Sequence, residues 1–288
     1  MELQKIITLA HAPHRMRFVL MERSLRAVGC DLPLRVIPYD DDLFELPRNA
    51  QYWKTPQIFE WLGADKSMNI KRKYQCLTTN DFQYIDTDAY FVRNPADVLK
   101  AHGGLVVCCH EWRWSSSAPN SCVTVRSAEI MRRRNTLFYL NLFCSGQFAC
   151  DRALYTPETL IETASDARYK ETCLGQLYTE QRGTNLLVFL SGVEVTNLTL
   201  PPYWMQSSWT DDYAGVPTEP YWREADRKPY LIHYYGYAHQ MNLNWEVMEP
   251  FRELLSRKEQ EEFMAEAQRW NIIRRRWDAE YRGIPDTD

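Results

Sequence analysis

The sequence predicts an α/β domain, with a mostly parallel sheet flanked by helices, followed by a C-terminal helical appendage. Three observations predict it. The chain opens on a β-branched run, a helical pattern and a second apolar run, which is the order of a βαβ unit. Short apolar runs then alternate with helical segments as far as residue 244. From Trp245 onward acidic and basic residues interleave on a helical period. The expected division is therefore residues 1–244 and 245–288.

In chain order, Lys5–Ala10 (KIITLA) reads as the first strand, and HAPHR leads into a helix through MRFVLMERSLRAVG. Gly29 is placed to cap that helix, because glycine enters the left-handed conformation at no steric cost. LPLRVIPYDDD reads as a second strand running into an acidic turn. QYWKTPQIFEWLGADKS reads as one or two helices, and MNIKRKYQCLTTN as a basic-led helix entering the strand FQYID. Gly103–Trp112, Leu140–Asp151 and Asn185–Gly192 are apolar runs of strand character. VEVTNLTLPPYW and RKPYLIHYYG hold later short strands. TPETLIETASDARY, with Pro157 in its first turn, and KETCLGQLYTEQRG read as helices. Pro201–Pro229 is rich in Pro, Trp, Tyr and Asp without periodicity, and reads as a long irregular loop.

Composition bounds the function. Of 288 residues, 45% are hydrophobic, which allows a large core. The net charge of −4 argues against a nucleic-acid binder that gains affinity by neutralising phosphates. No apolar stretch approaches about 18 residues, so no membrane span is expected. The opening residues carry neither an apolar h-region nor a small-residue cleavage site, so no signal peptide is expected. The eight cysteines include no CxxC pair and read as reduced, mostly buried thiols of a cytoplasmic protein. Arg274–Arg276 read as a solvated helix face or as a peripheral contact with anionic lipid.

The chemistry concentrates in QYIDTDAYFVRNP (Gln83–Pro95). Asp86 and Asp88 stand one residue apart where an apolar run meets a turn. Alternate residues of an extended chain share a face, so the two carboxylates point the same way. Like charges that close repel, and burying them unpaired is costly. A cation between them answers both costs. Aspartates also favour turns and helix caps, but here apolar runs flank the pair on both sides. The aspartate pair of haloacid-dehalogenase-like phosphatases needs a small hydroxyl residue two places after its second Asp, where this chain has Tyr90.

YIDTDAYFVRNPADVL resembles the D-x-D strand and following turn of GT-A glycosyltransferases, in particular the glycogenin-like enzymes of family 8. The preceding KRKYQCLTTNDFQ is similar to that family's lysine-led helix, with Lys71 at the lysine position. LIHYYGYAH (Leu231–His239) resembles the late H-x-x-G-x-K segment. His233 and Gly236 match it, and His239 stands where Lys is usual. NLFCSGQFACDRA resembles the central N-[AS]-G-hydrophobic strand, with Ser145 and Gly146 matching and Cys144 in place of Asn. YTEQRGTNLL resembles the D-Q-x-x-x-N element, with Glu180 in place of Asp and with Gln181 and Asn185 matching.

The resemblance implies a GT-A fold and transfer of a sugar from a nucleotide-diphosphate sugar, UDP-linked, to an acceptor hydroxyl with retained configuration. Asp86, Asp88 and His233 would hold Mn²⁺ or Mg²⁺, ions that suit carboxylate sites and leave positions for phosphate oxygens. Such an ion neutralises charge that develops on the leaving diphosphate. Lys71, Gly236 and His239 would meet the diphosphate, and Ser145 and Gly146 the donor. Glu180, Gln181 and Asp86 would sit at the reacting carbon. Thr8, Ala10, His11 and Arg15 lie by position where the nucleobase and ribose are held. Other assignments stay open: His233 as a satisfied core histidine, Gly146 as a strand bulge, and Glu180–Gln181 as a solvated helix end. An inverting enzyme would draw its base from Asp151, Asp211 or Asp212. The acceptor is a glycan, a lipid-linked intermediate or a small molecule, against a wall of Trp204, Trp209 and Trp222. The rival readings are a noncatalytic nucleotide-sugar or carbohydrate-binding protein on the same fold, suggested by Cys144 and His239, and a structural protein in which the aspartates form a turn.

Overall fold

A computed structural model describes residues 1–109, 122–175, 179–208, 227–234 and 251–282. Among them β1 (Lys5–Ala10), β2 (Leu34–Pro38), β3 (Ala50–Tyr52), β4 (Phe82–Ile85), β6 (Leu105–Val107), β7 (Gln147–Cys150) and β8 (Val195–Asn197) form one sheet in the order β3-β2-β1-β4-β7-β6-β8. β7 alone runs antiparallel to its neighbours, and the other six strands share one direction. This is the mostly parallel sheet expected. A separate ribbon pairs β5 (Ala89–Phe91) with β9 (Leu231–His233), with Ala89 opposite His233.

β4 shows why the sheet needs helices on both faces. All four of its residues are buried. Phe82 and Tyr84 point to one apolar cluster, where they meet Phe148, and Ile85 points to the other. A strand buried on both sides has no solvent face for polar residues, and its one amide, Gln83, is buried and accepts from the Tyr230 hydroxyl (2.9 Å). On one side α1 (Arg15–Ala27) buries Phe18, Leu20, Met21 and Leu25, each worth roughly 1.5–3 kcal/mol of apolar transfer. α1 ends as expected, with Gly29 at φ +77°. On the other side lie α2 (Pro56–Leu62), α4 (Val125–Arg134), α5 (Pro157–Ser165), α6 (Lys170–Leu174) and α7 (Thr179–Ser191), while α3 (Pro95–Leu99) buries Leu99 on the α1 side.

Three elements differ from the sequence reading. Asn185–Ser191 is the second half of α7, not a strand; this helix is buried on nearly every side, so its apolar run carries no polar stripe. Ala50–Tyr52 is an edge strand rather than a helix start. Of Leu140–Asp151 only Gln147–Cys150 is strand, with Phe138–Asn141 a 3₁₀ turn before it, whereas Lys66–Thr78 is helical as expected, wound as 3₁₀.

The C-terminal helix α8 (Arg257–Arg282) docks on α1. The first residue before α1, His14, offers no side-chain cap, and Glu266 of α8 takes its place. Its carboxylate accepts from the N–H groups of Met16 (2.8 Å) and Arg17 (3.3 Å), where orphan donors and the helix dipole both favour an anion. Arg23 grips Glu259 with two further bonds, at 2.8 and 2.5 Å. The expected boundary at 244/245 lies outside the described residues. Among the described residues no helix is long and apolar enough to cross a membrane.

A candidate metal centre at the carboxyl edge of the sheet

β1 and β4 end, and β7 begins, at the same edge of the sheet. Asp86 leaves β4 there, its N–H bonded to the Gly146 carbonyl (2.8 Å). The chain turns, with Ala89 N–H on the Asp86 carbonyl (3.1 Å), and enters β5. The β5–β9 register then sets His233 beside Asp88, and Tyr234 N–H binds the Asp88 carbonyl (3.0 Å). His233 Nε2 lies 3.3 Å from Asp88 Oδ1. One ligand atom from each of Asp86, Asp88 and His233 falls within 4.8 Å of the others. Residues 86, 88 and 233 meet only because the ribbon forms.

The ring of His233 is 2% exposed and lies against Gly146. A Cβ at 146 would stand 2.2 Å from His233 Cε1, so the close approach requires glycine. On the ring's other nitrogen, Nδ1, the Cys144 thiol lies 3.5 Å away.

Lys73 is the buried cation of the site. Its Nζ lies 3.3 Å from Asp86 Oδ1 and 2.5 Å from Glu180 Oε1, above the Tyr84 ring. Tyr84 donates its hydroxyl to Asp86, and Ser145 donates its own to Glu180 (2.5 Å). Burial pushes the Asp86 carboxyl up, Lys73 opposes that rise and Asp88 adds to it. Burial also works against an ionised Asp88, yet the His233 ring, by charge and hydrogen bond, holds that carboxyl well below the usual range. Burial disfavours a charged imidazole, but Cys144 and Asp88 hold His233 well above its ordinary value. Lys73 is likewise raised, because Asp86 and Glu180 outweigh its desolvation. These carboxylates draw in positive charge. Two carboxylates and an imidazole at this separation are a donor set that fits a divalent cation.

The remaining residues divide. Thr8 is buried on β1 with Oγ1 unpartnered, and Ala10 is buried beside it. His11 Nε2 pairs with Asp40 Oδ2 (2.9 Å) and its ring packs on Tyr39 at 4.6 Å, while Arg15 is exposed. Gln181 Oε1 accepts from Ser145 N–H (3.1 Å), and Asn185 clasps both backbone groups of Phe143, at 3.0 and 2.9 Å. The E-Q-x-x-x-N element thus splints the chain entering β7. Lys71 turns away from the cluster; its Nζ donates to the carbonyls of Gly175 (2.7 Å) and Leu174 (3.4 Å). Lys73, two residues on, holds the acids instead, and the run KRK offered no means of choosing between them. Arg17, buried on α1, also acts on the charge of Asp88. Asp151 follows β7 at the opposite edge, where it pairs with Arg152 (2.7 Å). Trp204 is 54% exposed. Gly236, His239, Trp209, Trp222, Asp211 and Asp212 lie outside the described residues.

Solved structures share this architecture. The galactosyltransferase LgtC, in complex with donor and acceptor sugar analogues, is similar at TM-score 0.50 and 16% identity over 87% of this chain and 94% of LgtC. The fold is GT-A. The apo form of the glycosyltransferase GlyE from Streptococcus pneumoniae TIGR4 is similar at TM-score 0.52 and 13% identity. That likeness covers 93% of this chain and 63% of GlyE; a second GlyE structure gives TM-score 0.51 at 12% identity. No family model and no curated protein matches the sequence. At such identities the likeness carries the GT-A architecture, and the chemistry rests on the side chains. In open α/β sheets ligands bind outside the carboxyl ends of the strands. The acid–imidazole cluster occupies that edge of this GT-A sheet.

Proposed function

We propose that this chain is a metal-dependent glycosyltransferase, moving a sugar from a nucleotide-diphosphate sugar, UDP-linked, to an acceptor hydroxyl. The observation that carries the reading is the convergence of Asp86, Asp88 and His233 at the ligand edge of a GT-A sheet. These three residues would hold Mn²⁺ or Mg²⁺. The ion, when bound, supplies positive charge to the diphosphate as the sugar departs.

The chain's own residues do the rest. Lys73 pairs with both Asp86 and Glu180 and fixes the two carboxylates in place. Glu180, braced by Lys73 and Ser145, sets a carboxylate where positive charge develops on the sugar ring. Gln181 is locked beside it by the Ser145 N–H. His11, Asp40 and Tyr39 form a polar and aromatic edge at the ends of β1 and β2 that suits a nucleobase and ribose. The retaining course is proposed, with the departing phosphate assisting the acceptor. Asp151 is not placed to serve as an inverting base, because the β4–β7 register sets it five residues, roughly 16 Å, along the strand from Asp86, at about 3.3 Å per residue. The acceptor is a glycan, a lipid-linked intermediate or a small molecule, with exposed Trp204 as part of its wall. The site's place is the cytoplasm, with α8 as a peripheral contact to membrane.

The test is a donor screen read by release of UDP, GDP or CMP with Mn²⁺ present. UDP release is expected, falling by about 100-fold or more in Asp88→Ala. Equal turnover by that variant contradicts the reading. Cys144 favours a second reading, a noncatalytic nucleotide-sugar-binding protein on the same fold, since its thiol faces His233 where the resembling family has a donor-binding asparagine. Binding of UDP-sugar with no turnover in the full screen would select it.

A further inference from the structure

The tripeptide Cys144–Gly146 enters β7 and touches three parts of the site. The Gly146 carbonyl accepts from Asp86 N–H (2.8 Å), and its bare Cα faces the imidazole. Ser145 donates its hydroxyl to Glu180 (2.5 Å) and its N–H to Gln181 (3.1 Å). Cys144 Sγ lies 3.5 Å from His233 Nδ1, which leaves Nε2 as the nitrogen turned to Asp88. The thiol is 4% exposed, and its own N–H is anchored to Cys109 Sγ at 3.2 Å. An imidazole that gives one nitrogen to a metal needs the other one held, because that bond sets the tautomer and the ring orientation.

We infer that Cys144 is a positioning residue for the metal ligand. Its thiol holds Nδ1 of His233 while Gly146 walls the ring, so that Nε2 faces Asp86 and Asp88. This inference rests on the metal reading proposed above. It gives position 144 a task unlike that of the asparagine in the resembling family, which bonds the donor sugar. An ion held by Nε2 would lie across the ring from the sulfur, so the thiol would act through His233 and not as a ligand. The same backbone stretch would register the metal ligand, through Cys144, with the acid–amide pair, through Ser145.

The test is Mn²⁺ binding to the full chain, with no donor present, followed by the electron paramagnetic resonance of free manganese. Cys144→Ala is expected to weaken binding by about 10-fold or more, the range for loss of a partner behind a metal-bound histidine. Cys144→Ser, whose hydroxyl can take over Nδ1, is expected to stay within about threefold of wild type. Both variants should keep the wild-type thermal midpoint in EDTA. Cobalt-loaded protein should show no sulfur-to-cobalt charge-transfer band. Wild-type affinity in Cys144→Ala overturns the inference, as does an equal loss of stability in EDTA, or a charge-transfer band that makes the sulfur a ligand. A wild-type chain that takes up no manganese overturns the metal reading itself, a result distinct from wild type and Cys144→Ala binding equally.

Discussion

Replacing Gly146 by alanine puts a carbon 2.2 Å from His233 Cε1, 2.8 Å from Nε2 and 2.9 Å from Nδ1. Carbon atoms in contact sit at about 3.5–4.0 Å, so the ring must retreat by roughly 1.3 Å or more. It has little room to do so. His233 is buried, its N–H is bonded to the Ser208 carbonyl (2.7 Å), and the next residue is bonded to Asp88 (3.0 Å). Either the ribbon shifts or the imidazole leaves its rotamer, and both draw Nε2 from Asp88. Overpacking of this kind costs about 1–3 kcal/mol. A metal ligand misplaced by an ångström should lose about 10–100-fold in affinity. Urea unfolding in EDTA measures the first quantity and calorimetric Mn²⁺ titration the second. If the clash with the ring is the cause, adding Gly146→Ala to a His233→Ala background costs almost nothing in EDTA, because the two sites are coupled. A Gly146→Ala protein as stable as wild type in EDTA, with unchanged manganese affinity, refutes the reasoning.

Other outcomes follow from the same contacts. Lys73→Met leaves Asp86 and Glu180 without their buried cation and should cost about 3–5 kcal/mol in urea unfolding; a cost below about 1 kcal/mol contradicts the ion cluster. Glu259 is held at about 2 by its hydrogen bonds to Arg23, with burial opposing and Ser256 assisting. Because its folded value lies below the ordinary glutamate value of about 4.3, the stability it contributes is full above that pH and lost as pH falls towards 2. The protection factors of α8, taken against the intrinsic exchange rate at each pH, should therefore fall between about pH 4 and 2 in wild type and show no such step in Glu259→Gln, the effect being on the order of 1 kcal/mol for a partly exposed pair. UDP with Mn²⁺ should raise the thermal midpoint, by about 2.7 kcal/mol of stability at 100 times Kd, and EDTA should abolish the shift; no shift at saturating UDP contradicts donor binding.

Much of the site was legible, for local reasons. Asp86 and Asp88 showed because the alternation of an extended chain and the flanking apolar runs are both local properties. Gly146 was singled out by the resemblance of NLFCSGQFACDRA to the family's central strand, while what requires glycine there, the ring of His233, lies 87 residues further on. The choice between Lys71 and Lys73 was not legible, since both lie in one basic run and only the packing of the 3₁₀-helix against α6 and α7 sends one to backbone carbonyls and the other to the acids. Asn185–Gly192 misled because a helix enclosed on nearly every side loses the polar stripe that marks its period. The β5–β9 ribbon, which completes the cluster, joins segments about 140 residues apart and has no local signature.

Whether a cation bridges these groups is best measured directly, by anomalous scattering from crystals grown with manganese and UDP. The account predicts one manganese peak between the carboxylates of Asp86 and Asp88 and Nε2 of His233, with the diphosphate against it. Clear density for UDP with no manganese peak at those three side chains would contradict it.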